Sequence, residues 1–172
     1  IRARGFSSAP GGFGGFLKFQ YALETWDENN EDKKYSLLGF PEESDWILQG
    51  PYSDKTLMRN YLIYNWSNDI GRYGVRTRFV EMFLNSDGDN ISYEDYVGVY
   101  VFMEKIKRDP YRVDITKLGP TENTEPEISG GYMYKIDRPA LGETGFTTAH
   151  DGVLLVHVDP QESEITGTQK AW

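Results

Sequence analysis

The clearest helical period in this chain is confined to one segment, Ser53 to Ile70, while the other regular stretches alternate with the two-residue period of strands. One helix set among strands, without strand–helix alternation, predicts an α+β fold built mainly on antiparallel sheet. Ser53 reads as the N-cap, Asp54 sits in the first turn where a carboxylate suits the helix dipole, and Gly71 reads as the residue just past the end. Leu57, Tyr61 and Tyr64 form one stripe and Met58, Leu62 and Ile70 another, joined by Ile63 and Trp66. So broad an apolar surface predicts a helix packed on more than one side. Lys55 and Arg59, four apart, are expected to share a face near its start.

Strands are expected at 1–4, 16–26, around 46–48, at 75–84, 97–106, 131–137 and 152–158. In the second of these Phe19, Tyr21 and Leu23 share one face, opposite Lys18, Gln20 and Glu24. Asp27 to Lys34 reads as an exposed turn, and Asp87-Gly88-Asp89-Asn90 as the turn of a hairpin between 75–84 and 97–106. The hydrophobic share of 38% in 172 residues suits one globular domain with a substantial core. No apolar stretch reaches the roughly 18–20 residues that span a bilayer. No signal-peptide pattern opens the chain. Ile1 without an initiator Met, and the ending Gln169-Lys170-Ala171-Trp172, read as cuts in a longer protein.

Charge and composition narrow the chemistry. Lys and Arg number 18 against 27 Asp and Glu, a net charge of −9, which disfavours a nucleic-acid binder that tracks phosphates. With no cysteine there is no disulfide, thiolate metal site or Cys nucleophile. The 87–90 turn lacks the glycine and glutamate spacing of a calcium loop, and reads as solvated. His150 and His157 fit no zinc pattern, and His157, in an apolar strand, is expected to be packed or hydrogen-bonded.

Between the first two strands lies Gly11-Gly12-Phe13-Gly14-Gly15, preceded by Ser7 and Ser8. A strand–glycine turn–strand can cradle phosphates, because glycine lets backbone N–H groups approach the oxygens, but alone it reads first as a surface hairpin. Lys18 just after the loop could reach a phosphate, and Arg2 and Arg4 make a small basic patch in an acidic chain.

The stretch LLGFPEESDWILQGPYSDKTLMRN, Leu37 to Asn60, closely resembles the hallmark of the CotH kinase family. The resemblance continues in order through RTRFVEMFLN (76–85), GVYVFMEKIKRD (98–109) and GGYMYKIDR (130–138), and IRARGFSS (1–8) is similar to the family's opening Arg-Gly-Asn-Ser-Ser. It implies an atypical protein-kinase-like fold, here mainly the N-lobe and the start of the C-lobe, as one partial domain over 1–172. It implies ATP with Mg²⁺ or another divalent cation as cofactors and Ser/Thr phosphorylation of a protein substrate. Spore-coat or extracellular, cell-surface localisation in a bacterium goes with it. The alternative is a non-catalytic coat or surface binding module with a degenerate nucleotide site. By kinase analogy the 53–70 helix takes the part of αC, and Val99 to Lys105 that of the strand and hinge beside the adenine, close to Glu104. Arg4, Ser7, Ser8 and Lys18 would line the phosphate side, and Arg59 joins the cofactor-binding set. Two motifs depart from the family: Phe6 replaces the Asn, and Phe19 replaces the second Lys of Phe-Pro-Lys-Lys-Ser-Tyr. The family's Asn-Val-Asp and Trp-Asp-Phe-Asp segments are expected downstream of Trp172, so no catalytic residue is assigned and the fragment alone is expected to be inactive.

Overall fold

The computed structural model describes residues 1–172 apart from Phe6, Ser7, Ala9 and Phe13, and divides into two compact units, Ile1–Lys105 and Ile106–Trp172. The first unit is built on β1 (Arg2–Arg4), β2 (Gln20–Glu24), β3 (Asp45–Gln49), α1 (Arg59–Asp69), β4 (Thr77–Phe83) and β5 (Tyr96–Glu104). A short 3₁₀ turn, Tyr93–Asp95, precedes β5. The five strands form one antiparallel sheet in the order β1-β2-β3-β5-β4. The second unit holds β6 (Met133–Lys135), β7 (Gly145–Thr147), β8 (Leu154–Asp159) and the short α2 (Gly167–Ala171), with sheet order β6-β8-β7. The fold is α+β and mostly antiparallel, as the sequence predicts. Among the described residues no helix is long and apolar enough to cross a membrane.

Strand register sorts the first unit's side chains onto two faces, since residues directly opposite one another point the same way. One row runs Tyr21, Leu48, Phe102, Arg78 and a neighbouring row Leu23, Trp46, Glu104. These rows belong to the aromatic core of Tyr21, Phe40, Trp46, Leu48, Met82, Tyr100 and Phe102. Phe40, Trp46 and Phe102 stack mutually, with ring centroids 5.1 to 5.9 Å apart. Phe40 reaches the sheet from a tight loop. Leu38 and Gly39 both take positive φ, Phe40 N–H donates to Leu37 O at 2.9 Å, and Ser36 Oγ donates to Phe40 O at 2.7 Å. The Arg78 guanidinium lies 5.2 Å from the Phe40 ring centroid and closes the stack.

The opposite row is Arg2, Ala22, Ile47, Met103, Thr77. Helix α1 packs on this second face, beside β4: Tyr61 stacks on Phe79 at 4.7 Å, and Asn65 Nδ2 donates to Thr77 Oγ1 at 3.2 Å.

The helix departs from expectation in three ways. It begins at Arg59, not Ser53, because Leu57 has φ 62°, a left-handed conformation no α-helix tolerates inside. Asp54 instead closes a turn, accepting from Thr56 N–H at 3.1 Å and Thr56 Oγ1 at 2.6 Å, and caps the helix from outside by accepting from Arg59 N–H at 2.8 Å. Lys55 therefore precedes the helix and does not share a face with Arg59; its ammonium donates to Tyr52 O at 2.7 Å. Finally, no α1 residue is buried, and Ile63 and Trp66 are each 57% exposed, so the wide apolar surface is not packed on several sides within the described residues. The carboxy-terminal end holds as expected, with Gly71 at φ 76° donating to Asn68 O.

Strand boundaries shrink by a few residues: the segment from Phe16 joins the sheet only at Gln20, and the 97–106 strand ends at Glu104. Sequence periodicity missed β7, three exposed residues too short to show alternation. His157 is buried, as its apolar strand implies, between Tyr134 and Phe146.

Phe40→Ala is expected to cost about 3–5 kcal/mol of stability, because the stack cannot collapse around the lost ring. Trp66→Ala should stay within about 0.5 kcal/mol. Urea unfolding of both variants checks this, and equal losses would place the outer helix face in the core.

Candidate functional site

The open face of the first sheet carries charge of both signs, Arg2 and Arg4 at one end and Glu24 with Asp45 at the other. Arg2 pairs with Ala22 and Arg4 with Gln20, so both guanidinium groups belong to the row pattern of Ala22 and Ile47. Both arginines are exposed, and among the described residues neither has an ion-pair partner. A cavity of about 460 Å³ lies here, its walls including Arg2, Arg4, Glu24, Trp26, Asp45 and Lys105 with Ala22 and Ile47 on its floor. Lys105 Nζ is 3.0 Å from Asp45 Oδ1 at its rim.

A second hollow of about 340 Å³ is lined by Gln20, Gln49, Gly50, Tyr52, Asp54 and Arg59. Gln49 Oε1 is buried there without a hydrogen-bond partner, an acceptor left open toward the hollow's side of the sheet. The Thr56 hydroxyl, then the Arg59 backbone N–H, hold the Asp54 carboxyl below the usual carboxylate range. Arg59 Nε is 3.5 Å from Asp54 Oδ1, so this arginine is loosely held and mostly exposed.

The residues singled out from sequence do not all gather here. Arg4 does, and Ser8 braces it: the buried Ser8 Oγ donates to Arg4 O at 3.4 Å. That contact requires Gly5, at φ 95°, since a Cβ there would run into Ser8 Oγ. Ser7 lies outside the described residues. Arg59 reaches the second hollow beside Gln20, the residue that pairs with Arg4.

Lys18 goes the other way. Its ammonium donates to Val99 O and sits 4.7 Å from the centroid of the Tyr100 ring, on the aromatic side of the sheet. Burial pushes its pKa down. Two glycines clear its path: a Cβ on Gly50 would lie 2.7 Å from Phe19 O and 2.9 Å from the Tyr100 ring, and one on Gly98 would meet Lys18 Nζ at 3.3 Å.

Glu104 is also turned to the aromatic side, opposite Trp46. Only 1% exposed, it accepts from Arg76 N–H at 2.9 Å and from Arg76 Nη1 at 2.5 Å. A buried carboxylate so paired fastens the start of β4 to the end of β5. The sequence reading overlooked Ala22, Trp26, Ile47 and Gln49. Period-two alternation from Gln20 carried the signal for Ala22, but nothing local marked Trp26.

No group of three or more His, Asp or Glu that could hold a metal exists among the described residues. In the 85–90 turn the side chains serve the backbone: Asn85 Oδ1 accepts from Gly88 N–H and Asp87 Oδ1 from Asp89 N–H, both at 3.0 Å. This is the solvated turn the sequence implies.

Residues 1–170 match the family model described as CotH kinase protein. The chain belongs to the CotH kinase family. No curated protein and no solved structure matches it. The match takes in both β1 arginines and the loop that carries Phe40.

Burial, then the neighbouring Tyr21, pushes the Tyr100 phenol up to about 12 from 10. The unfolded chain gives up this proton near pH 10 and the folded chain keeps it, so the folded state binds more protons between pH 10 and 12. Stability should therefore fall across that window, and Tyr100→Phe should lessen the fall. Denaturant titrations at pH 9, 10 and 11 check it; identical slopes for parent and variant would contradict it.

Proposed function

We propose that this chain is the nucleotide-binding part of a CotH-type kinase that uses ATP to phosphorylate Ser or Thr in coat or surface proteins. The observation that carries this reading is the pair of unpaired arginines on the open face, beside a cavity with an apolar floor, in a chain of net charge −9. Positive charge retained in an acidic protein points to an anionic ligand. A cavity of this size falls in the range of about 300–1,000 Å³ that small-ligand sites occupy.

The rest of the arrangement supports a kinase-like lobe. A glycine-rich connection joins the first two strands at the Arg4–Gln20 end of the sheet, and the single helix of this unit packs on the open face. In this reading Arg2 and Arg4 hold the phosphates as charge-assisted donors, with Ser8 keeping Arg4 in place. Arg59 waits at the edge of the second hollow, and Gln49 Oε1 accepts from a ligand hydroxyl. Bound ATP would supply the phosphoryl group; the residues described here bind and orient it. A divalent ion has no protein cage among the described residues, and no step is assigned to it.

The second reading, a non-catalytic coat or surface module, is favoured by Lys18, whose charge is spent on Val99 O and the Tyr100 ring. Thermal unfolding with ATP and Mg²⁺ separates the two. At a ligand concentration of 100 Kd the nucleotide reading expects about 2.7 kcal/mol of stabilisation. Arg4→Ala should weaken binding roughly 10-fold, the worth of one charge-assisted bond. Lys18→Met should leave ATP affinity within about 3-fold and lower stability instead. No thermal shift with ATP would favour the structural module.

A further inference from the structure

The end of the open face farthest from Arg4 holds an aromatic ring that phosphate binding leaves unused. Trp26 lies two residues beyond β2, walls the larger cavity and is 52% exposed. A tryptophan left half in water is notable only if its backbone is fixed, and here it is. Thr25 N–H donates to Ser44 O at 2.9 Å, Thr25 Oγ1 donates to Lys33 O at 2.6 Å, and Trp26 itself bridges to Asp32. Just beyond, the Asp27 carboxylate accepts from Asn29 N–H at 2.8 Å and Glu31 N–H at 3.0 Å. The ring is thus presented at the cavity from a braced turn, with Glu24 and Asp45 in the next row of the face and the apolar Ala22 and Ile47 in the row beyond.

We propose that Trp26 is the stacking wall for the base of the bound nucleotide and sets the preference of this site for a heteroaromatic ring over bare polyphosphate. The inference rests on the nucleotide reading above and adds to it the end of the cavity that takes the base. Direction follows from strand geometry. At about 3.3 Å per residue, Ala22 with its partner Arg2 lies about 13 Å from Trp26, and Gln20 with its partner Arg4 about 20 Å. A ligand with its ring on Trp26 therefore lays its anionic tail past Arg2 toward Arg4 and the glycine-rich connection. Between the ring and the Arg2–Ala22 row the same face carries Glu24 opposite Asp45, carboxylates that suit the hydroxyl donors of a sugar, and the small side chain of Ala22 keeps the next row low.

The test compares ATP with inorganic tripolyphosphate by calorimetric titration of the 172-residue chain and its Trp26→Ala and Trp26→Phe variants. Loss of one base-stacking ring should weaken ATP roughly 5- to 150-fold and leave tripolyphosphate unchanged, with Trp26→Phe recovering most of the loss. A Trp26→Ala chain that binds ATP as tightly as the parent overturns this inference and leaves the nucleotide reading standing. Equal weakening of ATP and tripolyphosphate also overturns it, because a distorted turn then accounts for the loss. A parent chain that binds tripolyphosphate as tightly as ATP has no base contact to explain. If the parent binds neither, the nucleotide reading fails and takes this inference with it.

Discussion

Phe40, Trp46 and Phe102 meet as three stacked rings on one side of a five-stranded sheet, and the chemistry of the other side depends on that contact. A sheet has to bury at least one face, and here a loop segment rather than a helix supplies the cover. The loop can do so because Leu38 and Gly39 turn it sharply enough to point Phe40 inward. Arg78 over Phe40, Lys18 over Tyr100 and the Arg76–Glu104 pair then seal the margin of this face. These cations act there as structural donors.

With the core supplied on one side, the other side is released from packing duty over β1, β2 and β3. Helix α1 covers it only beside β4, through Tyr61 and Asn65. The remainder keeps two exposed arginines, a low apolar floor and a braced tryptophan. Register sets Arg2 and Arg4 side by side at one end of this face of an acidic chain, with Glu24 and Asp45 toward the other end. The motif stretch from Leu37 to Asn60 serves both sides of the sheet, giving Phe40, Trp46 and Leu48 to the aromatic face and Ile47 and Gln49 to the open rows.

Much of this was legible in the sequence, and the failures have identifiable causes. Alternation separated Tyr21 and Leu23 from Gln20, and the hairpin of β4 and β5 followed from Asp87 to Asn90. The helix start was misread because Ser53 and Asp54 look like a cap, whereas Leu57 in a left-handed conformation interrupts the path. No propensity rule expects a leucine there. The side of the sheet that Lys18 and Glu104 occupy was not legible: backbone bends before Gln20 carry Lys18 to the aromatic side, and register carries Glu104 there. Trp26 was illegible as a site residue, since its exposure depends on a turn closed by Ser44 and Lys33, distant in the chain.

The central claim is that ligand and core occupy opposite faces of one sheet, and methyl groups report each face separately. Ala22, Ile47 and Met103 belong to the open rows, and Leu23, Leu48 and Met82 to the aromatic side. Carbon-13 methyl spectra recorded while ATP is added should show the Ala22 and Ile47 signals shifting with the ligand while Leu48 and Met82 stay in place. Shifts confined to Leu48 and Met82, or an unchanged spectrum at millimolar ATP, would contradict the account.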